Sequence, residues 1–159
     1  MELNEAGLIE RELTLRSLRL NREVLETRRS AVRWLALSLG ILNPGESRLS
    51  SLAVLDAMIY FQFVKKQDPT AKDLAEYISE AWEPINEKTL RYHLLRMKRM
   101  EFIQNEQGRF YFKAPKVGDR YSAYEWSSGV FDSFCREIAE KIGTVVEDMK
   151  SKNAINVIS

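Results

Sequence analysis

The chain has one cysteine and one histidine in 159 residues. A single cysteine, Cys135, closes no disulfide within the chain, so the fold must rest on its hydrophobic core, and a reducing, cytoplasmic setting is expected. His93, with one distant cysteine, makes no His/Cys set at zinc-ligand spacing, and no metal is expected. The seven glycines are scattered, so they build neither a phosphate-cradling loop nor a nucleophile elbow, and no Ser/His/Asp combination stands out. Carboxylate pairs such as Glu10 with Glu12 or Glu147 with Asp148 lie in helix-like, wet stretches. Nothing singles out an enzyme, and no cofactor is expected.

An excess of one charge is missing too. Lys and Arg number 24 against 23 Asp and Glu, leaving +1, so attraction to a polyanion has to come from where charges are placed. No apolar run has the length of a membrane span, and the opening residues carry Glu2, Glu5 and Glu10 instead of a basic n-region, so no membrane association is expected. Repeats and low-complexity segments are absent. The length suits one domain of ordinary size with extensions.

What is present is clearest between Pro69 and Lys113. Thr70 is a good N-cap with Asp73 three residues on, an Asp version of the capping box. Leu74, Ala75 and Ile78 share one helical face, predicting a helix that ends near Trp82. Pro84 stops simple continuation, and Asn86 caps a second helix in which Leu90, Leu94 and Met97 form the inward stripe. Lys88, Arg91, Tyr92, Arg96 and Arg99 fall largely on the remaining surface. Phe102–Gln104 and Arg109–Phe112 are β-prone runs around Asn105-Glu106-Gln107-Gly108, a β-hairpin.

This segment, Thr70-Ala-Lys-Asp-Leu-Ala-Glu-Tyr-Ile, then Lys88-Thr-Leu-Arg-Tyr-His-Leu-Leu-Arg-Met, then Phe102-Ile with Gly108-Arg-Phe-Tyr-Phe, resembles winged helix-turn-helix transcriptional regulators of the ArsR, MarR and PadR kinds. The resemblance covers under a third of the chain. It implies that the second helix enters the major groove of double-stranded DNA and that the hairpin, as a wing, touches backbone or minor groove. Lys88, Thr89, Arg91, Tyr92, His93 and Arg96 would then lie at DNA, with Arg109 at the wing. Arg91, Tyr92 and Arg96 would reach bases, while Lys88, Arg99 and Arg109 would hold phosphates. The sequence departs from such regulators where Glu83-Pro84 precedes the second helix.

Around this unit the pattern predicts helical arms. From Leu3 to about Leu39 only Gly7 interrupts, so one helix of roughly thirty residues is expected, with Leu8, Leu15, Leu18, Leu25, Val32, Ala36 and Leu39 on an interrupted coiled-coil seam. Gly40 ends it in the left-handed region, and Ser47 is a candidate cap for a helix through Leu49, Leu52, Leu55, Ile59 and Phe63. Its Tyr60-Phe61-Gln62-Phe63 cluster reads as core, with a ligand pocket as the other reading. A linker, Ala114 to Asp119, precedes a last helix from Ser127 or Ser128 to Lys150, on which Phe131, Phe134, Ile138, Ile142, Val145 and Met149 form an amphipathic stripe that needs a partner surface. The expected fold class is therefore mostly α with a small β-hairpin wing: an N-terminal arm over 1–44, a winged helix domain over 45–116 and a C-terminal arm over 117–159.

Two apolar arms favour a homodimer. The leading functional expectation is a dimeric, sequence-specific DNA-binding transcriptional regulator, whose small-molecule effector, if any, the sequence does not name. The other is a winged-helix interaction module of a chromosome-organising or transcription complex, which the near-zero net charge favours.

Overall fold

The computed structural model describes residues 4–114 and 118–152. The chain divides into two compact units between Lys113 and Ala114.

The first unit is built around α3 (Leu49–Ile59), buried continuously from Ser51 to Met58. A helix apolar all round belongs in the middle of a fold, and α3 touches α2 (Arg28–Ser38), α4 (Ala71–Ala81), α5 (Glu87–Arg99) and β2 (Arg109–Phe112). It starts at Arg48, with no side-chain cap from Ser47. It runs on into a π-helical turn, Tyr60–Lys65, that buries Gln62. There the Gln62 Oε1 accepts the amide of Phe112 at 3.3 Å and Phe63 stacks on the Phe112 ring. Tyr60 stacks on Tyr77 of α4 with centroids 4.5 Å apart. The aromatic cluster is packing for this unit.

α4 and α5 form where their caps place them. Thr70 and Asp73 make the reciprocal capping box, Trp82 closes α4, and the Asn86 side chain caps α5. Leu74 and Ile78 of α4 and Leu90, Leu94 and Met97 of α5 are buried, each stabilising the unit by about 1.5–3 kcal/mol. After α5 the chain turns through Glu101 at φ 61. β1 (Ile103–Glu106) then pairs antiparallel with β2, with Ile103 opposite Phe112 and Glu106 opposite Arg109. The turn is Gln107-Gly108, both at positive φ, the two-residue connection whose twist matches a hairpin. Thr70 makes a single antiparallel bridge to Arg109, and the Phe110 amide donates to the Pro69 carbonyl at 2.8 Å. The hairpin is thereby seated against the start of α4.

The N-terminal region corrects the sequence reading. No thirty-residue helix forms. Instead there is a single turn, α1 (Glu5–Leu8), an extended stretch, a 3₁₀ turn at Arg22–Leu25, and then α2. Two caps break the helix: Asn21 accepts the Val24 amide, and Thr27 makes a capping box with Ser30. The extended stretch is held by long-range bonds that a helix could not make. The Arg16 amide donates to Ser38 O, its guanidinium donates to the carbonyls of Leu37 and Leu42, and the Trp34 indole donates to Arg19 O. Cations at helix C-terminal carbonyls satisfy acceptors left open there. Gly40 does end α2 in the left-handed region, at φ 72, with Ile41 N–H returning to Ala36 O. The coiled-coil seam expected over this region does not exist, and the residues before α3 belong to the first unit.

The second unit holds α6 (Ala123–Lys150), which begins earlier than Ser127 because Ser122 caps it. Trp126 meets Phe131 edge-on within it. Among the described residues no helix is long and apolar enough to cross a membrane.

Candidate nucleic-acid interface

α5 has two sides. Leu90, His93, Leu94 and Met97 are its buried residues, at the i, i+3, i+4, i+7 spacing of one helical face. Opposite them Lys88, Arg91, Tyr92, Leu95, Lys98 and Arg99 are exposed, with Tyr92 at 55% and Leu95 at 46% in the middle of the line. Arg91 is paired with Glu87 one turn earlier at 2.6 Å, both ends in solvent. Such a pair is worth only a few tenths of a kcal/mol, so a phosphate or base edge can displace it.

A groove of about 370 Å³ runs between this side of α5 and the hairpin, lined on α5 by Arg91, Leu94, Leu95 and Lys98 and on the hairpin by Asn105, Gly108 and Phe110. The exposed α5 line and the hairpin tip are therefore one surface, with Lys98 at their junction. Lys98 was outside the residues read from the sequence as contacts, although its spacing of seven from Arg91 places it on the same side.

Three of the sequence-predicted residues sit differently. His93 is buried at 5% exposure with its Nε2 2.9 Å from Ser50 Oγ, so it belongs to the core and not to a DNA-facing surface. Burial lowers its pKa, and the nearby charges of Arg96 and Arg48 lower it further, which favours the neutral ring. Arg96 turns away from the exposed line and donates to Ile41 O at 2.8 Å, beside Glu46 and Arg48. Thr89 is half-buried in the first turn, its amide bonded to the Asn86 cap. Arg109 lies on the hairpin as expected, exposed beside the turn and opposite Glu106, with its guanidinium donating to Asp68 O at 2.9 Å. Lys88, Arg91, Tyr92 and Arg99 remain together and accessible.

Comparison of the chain with family models, with characterised proteins and with solved structures finds no match. The site therefore stands on its own geometry.

The scaffold beneath it contains a network that sequence reading missed. Asp56 of α3 is buried at 2% exposure. Its carboxylate accepts from Tyr77 Oη and Trp82 Nε1, each at 2.8 Å, and from Arg28 Nε at 2.5 Å. Burial, together with the bond to Asp56, pushes the Tyr77 phenol up to about 12. One carboxylate thus joins α2, α3 and the end of α4 immediately before the turn into α5. Arg29 lies over the Trp82 ring at 4.3 Å, fixing the same corner.

Proposed function

We propose that the chain is a sequence-specific DNA-binding transcriptional regulator of the winged helix-turn-helix kind, acting as a homodimer on double-stranded DNA. α3, α4 and α5 supply its three helices, β1–β2 its wing, and the Thr70–Arg109 bridge the short third strand that seats the wing. The observation that carries this reading is the exposed line Lys88, Arg91, Tyr92, Lys98 and Arg99, opposite a fully buried face of the same helix and continuous with the hairpin. A helix packed in this way can enter a major groove without unpacking. Arg91 and Tyr92 are the groove-reading residues; Lys88, Lys98 and Arg99 hold phosphates.

Titration of a random-sequence duplex at two salt concentrations tests the reading. Affinity falls steeply with salt if these cations displace counterions from phosphates. Binding that is absent at low salt, or indifferent to salt, overturns it. A second reading, a winged-helix module that binds protein, is favoured by one observation: the middle of the line is occupied by exposed Tyr92 and Leu95, an aromatic and an aliphatic anchor of the kind protein interfaces use.

A further inference from the structure

In the last turns of α6, Phe131, Cys135, Ile138, Ile142, Val145 and Met149 recur at alternating steps of four and three. That is the spacing of a coiled-coil seam. Ile138, Ile142, Val145, Val146 and Met149 are all exposed large hydrophobics, while Glu137, Glu140, Thr144 and Glu147 lie on the other sides of the helix. A solvated helix does not carry such a line without a surface to cover it.

We propose that α6 pairs with α6 of a second copy as an antiparallel coiled coil, with the two-fold axis passing between residues 143 and 144. The flanking positions determine the direction. Lys141 and Asp148 border the seam on one side, Ala139 and Val146 on the other. In the antiparallel register Ile142 faces Val145 of the second copy and Ile138 faces its Met149. Lys141 then meets the second copy's Asp148, twice by symmetry, and Val146 meets its Ala139. Both of these flanking pairs are matched: charge with opposite charge, apolar with apolar. The parallel register sets Lys141 beside Val146 and leaves Asp148 without a cation across the seam. Within one chain Lys141 reaches Glu137 at 3.5 Å and Asp148 contacts Lys152, both exposed pairs that a partner charge joins at little cost.

This pairing gives the homodimer of the proposed function its surface, and it rests on that reading only for the presence of two copies. The test uses the full chain. Light scattering across micromolar concentrations reports two chains per particle. Lys141→Glu and Asp148→Lys each weaken the dimer about tenfold, because both symmetry-related pairs turn repulsive, and the double variant restores it. Circular dichroism confirms that α6 remains helical in each.

The register is read by cysteine cross-linking. Oxidation of the native chain joins no dimer through Cys135, because the two sulfurs lie roughly 25 Å apart along the antiparallel pair. In a Cys135→Ser background, Ile138→Cys and Met149→Cys together give a cross-linked dimer and neither alone does, since each lies roughly 16 Å from its own copy and bonded cysteines need Cα atoms about 4–7 Å apart. The mass of one chain overturns the pairing, as does failure of the double charge variant to restore the dimer. Efficient Cys135 cross-linking overturns the register. Duplex affinity is measured on the same samples: a monomer that binds DNA sinks only the pairing, and a dimer that does not bind sinks only the DNA reading.

Discussion

The Nε2 of His93 lies 2.9 Å from Ser50 Oγ, a bond between α5 and α3 inside the first unit. Its folded-state pKa is lowered, first by burial and then by Arg96 and Arg48. An unfolded chain takes up this proton near pH 6.5, and the folded chain does so only at lower pH. The sign follows: stability is fully present above about 6.5 and is lost as pH falls toward the folded-state value, because the unfolded state then binds the extra proton. Urea midpoints at about pH 7.5 and about pH 5.5 should separate more for the parent than for His93→Gln. An equal loss in both would mean that His93 does not carry the dependence.

Asp56 is expected to be the costliest polar position in the first unit. Asp56→Ala leaves the Trp82 and Tyr77 donors without their acceptor and should cost about 2–4 kcal/mol by urea unfolding. Tyr77→Phe should cost about 1–2 kcal/mol, and the two together less than their sum, since both remove one network. A neutral Asp56→Ala would show that the network contributes nothing to stability.

How far the sequence discloses this fold depends on how local each signal is. Thr70 with Asp73, Asn86 and Gly40 act within a few residues, and each lies where reading along the chain puts it; the hairpin does too, but Asn105 and Glu106, read as turn, belong to β1, which leaves Gln107-Gly108 as the turn. The buried stripe of α5 was also legible, and at its own spacing it includes His93, whose polarity disguised it as a surface residue. The N-terminal region misleads for the opposite reason. Its leucines fit a heptad, but the extended course is stabilised by Arg16 and Trp34 bonding partners more than ten positions away. Asn21 and Thr27 were the local cues that could have divided the helix. The Asp56 network joins residues 21 to 28 positions apart, and nothing periodic announces it. At the interface, Arg96 was drawn away by a carbonyl at Ile41, a partner that exists only after folding.

Gly40 meets two demands at once. It sits at φ 72, and an added Cβ would lie 2.4 Å from Thr14 O. Gly40→Ala should therefore cost more than about 2 kcal/mol, combining the left-handed penalty with displacement of the extended stretch. Gly45 is the control: it has positive φ but open space around it, and its alanine variant should cost about 1 kcal/mol. Equal melting temperatures for the two variants would remove the close approach from the account.

At the hairpin, Gln107 holds φ 52, which asparagine tolerates better. Gln107→Asn should raise stability by about 0.5 kcal/mol without altering duplex affinity. A loss of stability would contradict the turn geometry.

The most direct measurement is the salt dependence of duplex binding, followed by fluorescence anisotropy, for the parent and for Lys88→Ala, Lys98→Ala and Arg99→Ala. Each loss should weaken binding to all sequences alike and lower the magnitude of the log–log slope by about one per contact removed. His93→Gln, in the core, should leave the slope unchanged. Arg91→Ala should instead cost about 1–3 kcal/mol on a preferred site and less on random duplex. If the folded surface variants bind duplex with the parent's affinity and the parent's slope, α5 does not meet DNA and the central claim is contradicted.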